Sequence, residues 1–391
     1  MRDFSQCLLP DPYSLIIENH SENRPPSSII EAALLLNQGQ AQAALDMLNI
    51  TKTSAANNAW SWIVAATAYC QLKNYSLARE ISERSLQLSG RNSHLLDCLG
   101  VAHCGLEDYD NAQRCFFHAV QCDHHNVNAI INLAKIFILQ NHFDTAFEFL
   151  QQSIIRNPDN QEIRFLLMQI HPDWIKPLIG KQLRLRPLMT TDEAFLKRCF
   201  TDPVFMNNYH RFMTANRIKQ RFDDLKQNPR YNVLKNKSVH WLIEKKQNAT
   251  YFPIGMATLA EIQLIHERAE ILIGFPEQSF RGQGNPLTAM LLLLDFVFNI
   301  IGFNKLTSIV YTGNTHSQHS TLALGFFQEG YHQDQLRDLQ SGEWLSIYVN
   351  GLLQTNFRSN LRLPKLSQRL LGFDITNITS NKKVFDFKIG P

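Results

Sequence analysis

The stretch Pro276-Glu277-Gln278-Ser279-Phe280-Arg281-Gly282-Gln283-Gly284-Asn285-Pro286 decides how the second half of this chain is read. It separates a strand-like run, Arg268–Phe275, from a long apolar run, Leu287–Ile301, whose length and composition suit a helix. A glycine turn entering a helix aims backbone N–H groups at an anion, and the helix dipole favours negative charge there, a setting that suits a phosphate or pyrophosphate. No G-K-S/T follows and no G-x-G-x-x-G is present, so neither a nucleoside-triphosphate loop nor a dinucleotide fingerprint is indicated. Pro286 falls in the first helical turn, where its missing N–H costs little but removes one donor.

Around this turn the chain alternates strands and helices. Strands are expected at Gln182–Leu188, Val239–Lys245, Ile254–Ile262, Arg268–Phe275, Lys305–Tyr311, Phe326–His332 and Trp344–Val349. Helices are expected at Thr191–Phe200, Ala215–Gln227, Leu287–Ile301 and Ser317–Leu324. A meander followed by a βαβ crossover gives an α/β sheet.

Upstream the pattern is purely helical and repeats every 34 residues. Tyr75, Tyr109 and Phe143 are each followed three positions later by Ala78, Ala112 and Ala146, and preceded nine positions earlier by Ala66, Gly100 and Ala134. Ser85, Ala119 and Ser153 stand ten positions after the aromatics, and Ala32, Gly39, Ala44 and Leu48 mark a weaker first copy. Small residues let paired helices approach, while Tyr75, Tyr109, Phe143, Phe116 and Leu150 fill the space between pairs. The pattern resembles the tetratricopeptide repeat, a helix–turn–helix unit, with Gln161–Ile170 as a capping helix. The fold class expected is therefore α + α/β: a tetratricopeptide-like α-solenoid over 25–170, a Pro/Gly-punctuated linker over 171–180, an α/β domain over 181–353, and a basic extension over 354–391 with no assigned role.

Composition narrows the class. With 44% hydrophobic and 19% charged residues the chain is globular. Residues 1–170 carry 11 basic against 17 acidic side chains, net −6, while residues 171–391 are net +9, so the second half is the better host for a polyanion. The basic residues form no dense run interleaved with aromatics, and no nucleic acid partner is expected. Seven cysteines show no C-x-x-C pair and no zinc spacing, so they read as buried hydrophobes of a reducing compartment, and no metal is expected. Met1–Asp11 lacks a secretory pattern and Leu287–Phe303 is interrupted by Asp295 and Asn299, so a cytoplasmic chain with no membrane partner is expected.

Arg281-Gly282-Gln283-Gly284-Asn285-Pro286 resembles the acyl-CoA loop R/Q-x-x-G-x-G/A of the GCN5-related N-acetyltransferases, with proline in the last place. The opening Leu183-Arg184-Leu185-Arg186-Pro187-Leu188, the lead-in His266–Gly274, and Asn314-Thr315-His316-Ser317 with Leu324-Gly325-Phe326 and Glu329-Gly330 are similar to the ribosomal-protein branch of that family. The resemblance covers about 170 residues and implies acetyl-CoA as cofactor. It implies that the pyrophosphate meets Arg281, Gly282, Gln283, Gly284 and Asn285, that the pantetheine arm meets the backbone of Leu272, Ile273, Gly274 and Phe275, and that Asn314 supports the cofactor. For Asn314 a turn-forming role is the plain alternative.

Among the carboxylates Glu261, Glu267 and Glu270, Glu270 is the preferred base, because burial would raise its pKa into the working range; a solvent-facing strand residue is the alternative. Where relatives carry a tyrosine that protonates the leaving thiolate, Thr321 stands here, which leaves Ser317, Tyr311 or water for that task. His240, His316 and His319 read as surface residues, and Arg184 and Arg186 as solvent-facing strand residues. The function expected is acetyl transfer from acetyl-CoA to an amine on a protein or peptide recruited by the repeats. The alternatives are a small-molecule acetyltransferase with an assembling, homodimeric array, and a CoA-binding module without catalysis.

Overall fold

A computed structural model describes residues 7–18, 25–50, 59–209, 237–338 and 341–377. The helix expected over Ala215–Gln227 lies outside these. The chain divides into two compact units, Met1–Leu167 and Met168–Pro391.

The first unit is helical: α1 (Pro12–Glu18), α2 (Ser27–Asn37), α3 (Ala41–Ile50), α4 (Ala59–Gln71), α5 (Tyr75–Ser89), α6 (Ser93–Gly105), α7 (Tyr109–Cys122), α8 (Val127–Leu139) and α9 (Phe143–Arg156), with α10 (Gln161–Gln169) crossing its end. Helices α2/α3, α4/α5, α6/α7 and α8/α9 form hairpins, and one backbone device makes each bend. Gly39, Lys73, Glu107 and Asn141 are all left-handed, with φ of 78, 58, 63 and 62°, and they stand 34 residues apart. The residue after each donates its N–H five positions back: Gln40 to Leu35, Asn74 to Tyr69, Asp108 to His103 and His142 to Phe137, at 2.8–2.9 Å. That six-to-one bond satisfies a carbonyl that the ending helix would otherwise strand. Asn74 and Asp108 then cap the next helix, accepting from the N–H of Leu77 and Asn111.

The small residues sit where the helices touch. Ala66, Ala78, Ala112, Ala134 and Ala146 are fully buried, and a Cβ on Gly100 would strike the Phe116 ring. Phe116 and Leu150 are fully enclosed and Phe143 nearly so, while Tyr75 and Tyr109 are half-buried.

The second unit is built on an eight-stranded sheet of order β1-β2-β3-β4-β5-β6-β8-β7. The strands are β1 (Leu178–Ile179), β2 (Leu183–Pro187), β3 (Val239–Gln247), β4 (Thr250–Gln263), β5 (Arg268–Gly274), β6 (Lys305–Tyr311), β7 (Phe327–Arg337) and β8 (Trp344–Leu353). Among the described residues, only β5 and β6 pair in parallel. They are joined by α13 (Asn285–Asp295), which runs on through a π-helical turn, Phe296–Ile301. Helices α11 (Glu193–Thr201) and α12 (Pro203–Tyr209) pack on one face of β3–β5 through Leu196, Phe200, Phe205, Leu242 and Met256. On α13's side, Trp241 and Trp174 meet Phe296 edge-on, with ring centroids 5.5 and 5.0 Å away.

The structure corrects two sequence readings and gives a place to a third stretch that had no assigned role. The stretch 171–180, expected as a linker, is folded into the second unit: Trp174 is fully buried, its indole N–H bonded to the Met168 carbonyl at 2.7 Å, and β1 pairs with β2. The extension after 353 is likewise structural as far as 377. Helices α15 (Gln354–Ser359) and α16 (Leu363–Leu370) bring Phe357 onto Phe298, centroids 4.7 Å apart, and Arg358 onto the carbonyls of Phe298, Ile375 and Thr376. Arg184 and Arg186 are not simply solvent-facing. Both bind the buried Glu244, and Arg186 also grips Asp192 with two bonds of 2.7 Å, holding the β2/β3 pair to the start of α11.

Candidate active site

Strands β5 and β6 share register only from Arg268↔Lys305 to Glu270↔Thr307; β5 continues to Gly274 and β6 to Tyr311 without pairing each other. The edges therefore fork beyond Glu270. Leu272, Ile273 and Gly274 line one prong, each half-buried, with Phe275 buried at its end. The other prong ends in Tyr311, and Asn314 follows at the start of α14 (Thr315–Ala323).

The β5 prong leads into the glycine turn. Gln283 and Gly284 are both left-handed, φ 57 and 76°, and Gly284 caps α13. The N–H groups of Gly282, Gln283 and Gly284 have no hydrogen-bond partner among the described residues, and a Cβ built on Gly282 meets nothing within 4 Å. Three such donors at the N-terminus of an 11-residue helix, with open space beside Gly282, fit a pyrophosphate. Lys245 adds positive charge next to them, its Nζ donating to Gln283 Oε1 at 2.9 Å.

Two of the residues expected to touch the cofactor serve the turn itself. Arg281 donates to the carbonyls of Phe275 (3.0 Å) and Pro276 (3.1 Å), stapling the two ends of the loop. Asn285 is buried; its N–H bonds Gly282 O and its amide bonds Phe280 O, so both of its donors close the turn.

At the fork, Glu270 lies opposite Ala260 on β4 and Thr307 on β6. Its carboxyl is pushed up to about 7, first by burial and then by the charge of Glu261. Glu261 sits in a β-bulge between Ala260 and Gln263, left-handed at φ 48°, and is brought near by that irregularity. Paired positions share a face, so His240, Thr258 and Leu272 lie on Glu270's face of the sheet. Thr258 Oγ1 bonds Tyr209 Oη at 2.6 Å and His240 Nδ1 at 2.7 Å. His240 is thus half-buried in a polar chain rather than a free surface residue.

Asn314 caps α14, its Oδ1 accepting from the Ser317 N–H at 3.1 Å, so its turn-forming role is present. Ser317 and Tyr311 are half-exposed, Thr321 is buried, and His316 and His319 are exposed. Helix α14 is anchored by a feature the sequence did not signal. Buried Gln318 and Asn350 exchange two amide bonds of 3.0 and 2.9 Å, and Asn350 also donates to Ser308 O on β6. An open cleft of about 450 Å³ adjoins the glycine turn, lined by Phe195, Arg198, Phe252, Pro253, Glu277 and Phe280.

A forked parallel pair with a glycine turn on one prong defines an acyl-CoA transferase fold. Residues 182–327 match the family described as Acetyltransferase (GNAT) domain, and the second unit carries a GNAT domain. Acetyl-CoA is the acyl donor of this class. Solved structures similar to the chain include spermidine N-acetyltransferase from Vibrio cholerae in complex with CoA and spermine, 22% identical, with a TM-score of 0.39, covering 46% of this chain and 99% of that one. Spermidine/spermine N-acetyltransferase SpeG from Vibrio cholerae with manganese ions is 23% identical, TM-score 0.38, covering 46% and 98%. Among curated proteins, BBSome complex member BBS4 from Bos taurus and from Mus musculus are each 23% identical over 134 residues, 34% of this chain. The chain spans about a quarter of the length of these curated relatives. No helix among the described residues is long and apolar enough to cross a membrane.

Proposed function

We propose that this chain is an acetyl-CoA-dependent N-acetyltransferase acting on an amine of a protein or peptide that its repeat array recruits. The observation that carries the reading is Glu270, a carboxylate at the fork of β5 and β6 whose pKa of about 7 suits a base at neutral pH. When bound, acetyl-CoA supplies an activated acetyl thioester. The N–H groups of Gly282, Gln283 and Gly284 would hold its pyrophosphate, with Arg281 and Asn285 keeping the turn in shape. The unpaired edge of Leu272–Phe275 would bond the pantetheine arm, and Asn314 would set the far prong. Glu270 would take the proton of the attacking ammonium, and Tyr311 or Ser317 would return a proton to the departing sulfur.

Recruitment by the array is supported by its net charge of −6, which complements a basic partner. The test is intact-mass analysis after incubation with acetyl-CoA and either a lysine-rich protein or a panel of small amines. A gain of acetyl mass on the protein alone is the expected outcome. Transfer to small amines alone would reassign the acceptor, and no transfer to either, with CoA still bound, would leave a binding module.

A further inference from the structure

The N-terminal segment ahead of α1 is held by side chains of the repeat array. The Leu8 N–H donates to Asn132 Oδ1 at 2.8 Å, and Asn132 Nδ2 donates back to the Leu8 carbonyl at 2.8 Å. One helical turn away on α8, Asn128 Nδ2 donates to the Leu9 carbonyl at 3.0 Å. All three bonds go to backbone atoms of the segment, so none reads its side chains. An asparagine amide that both accepts from and donates to one residue imitates the pairing that a neighbouring β-strand would give.

The site is built from behind as well. Asp97 on α6, fully buried, accepts from Asn132 Nδ2 at 3.1 Å and thereby orients the amide, while its other oxygen has no partner among the described residues. A buried, half-satisfied carboxylate is destabilising for a helical array and adds nothing to its packing. Cys7 and Leu9 pack on the cluster that includes Val101, Cys104, Leu133 and Ile136. The apolar side chains of Cys7 and Leu9 thus pack on the array on either side of the gripped Leu8 backbone.

We propose that the face formed by α6 and α8 is a receptor for an extended peptide strand gripped by its backbone, and that Cys7–Leu9 fill it as a displaceable internal ligand. The array is then self-occluded until a partner strand of similar pattern takes the segment's place. This deepens the recruitment half of the function proposed above and rests on that half alone, since acetyl transfer plays no part in it.

The test uses the full chain without acetyl-CoA. A fluorescent peptide with the sequence of residues 5–14 is titrated into the unaltered chain and into Leu8→Pro, which deletes the N–H that Asn132 accepts and lies outside any helix. At least tenfold tighter binding to Leu8→Pro is expected, lost again when Asn132→Ala, or the milder Asn128→Ala, is added. The peptide carrying the same proline should not bind. Equal affinity of the two folded chains overturns the proposal. So does failure of Leu8→Pro to fold by circular dichroism, because the segment would then be an indispensable part of the array. CoA affinity, measured separately by calorimetry, should be the same for both chains, which keeps this outcome separate from that of the transferase reading.

Discussion

Replacing Glu270 with Gln tests the catalytic reading through two independent measurements. With a pKa of about 7, the Glu270 carboxyl is about half ionised at pH 7 and roughly one-tenth ionised at pH 6. If it is the base, kcat/KM of the unaltered enzyme rises about tenfold per pH unit up to pH 7 and bends there. Glu270→Gln removes that bend and lowers the neutral rate by roughly 10²–10⁴. The deficit narrows in alkali, where a lysine-type amine, pKa about 10.4, loses its proton unaided. Stability moves the opposite way. The folded carboxyl holds its proton more tightly than the unfolded one, so between the usual 4.5 and about 7 the native state binds more protons and loses stability as pH rises. The gap corresponds to about 3 kcal/mol, reduced somewhat because the group is only partly enclosed. Glu270→Gln should therefore melt higher than the unaltered chain at pH 8 and nearly level with it at pH 4. Identical pH–rate profiles, with no melting difference at pH 8, would refute both the role and its physical cause.

Three further outcomes are expected. Glu261→Gln removes the charge that raises Glu270's pKa, so the bend in the rate profile should move to lower pH; desolvation, the larger cause, keeps it above the usual value. Gly282→Val points its side chain into open space, so thermal melting should hardly change while calorimetry shows CoA affinity falling at least tenfold, about 1.4 kcal/mol. Gly100→Ala forces a Cβ against the Phe116 ring and should cost about 1–3 kcal/mol in urea unfolding, with no effect on CoA binding.

The parts legible in the sequence are those encoded by local pattern. The period of 34 showed through Ala78, Ala112 and Ala146 because close helix contacts demand small residues at fixed intervals. The turns between those helices were far less legible, since Lys73 and Glu107 take a left-handed conformation without being glycine. Pro and Gly punctuation over 171–180 suggested a linker, but local chemistry cannot say that Trp174 is buried on Phe296, more than a hundred residues away. Alternation gave Arg184 and Arg186 their shared face correctly and their exposure wrongly, because the same face carries Glu244 across the β2/β3 pair. In the site, the glycine turn and Glu270 stood out by type and neighbourhood. The Tyr209–Thr258–His240 chain and the Gln318–Asn350 amide pair did not, for each is assembled from separate elements.

Because the bend between paired helices is made by backbone geometry and one recurring N–H bond, it is indifferent to which residue occupies it: glycine, lysine, glutamate and asparagine all serve. Every such bend is also a seam of equal register. Excising residues 74–107 would join Lys73 to Asp108, a left-handed residue to a helix cap, as Lys73 is now joined to Asn74. The array can thus lose one full unit without leaving an unmatched end, so that its length is set in whole repeats.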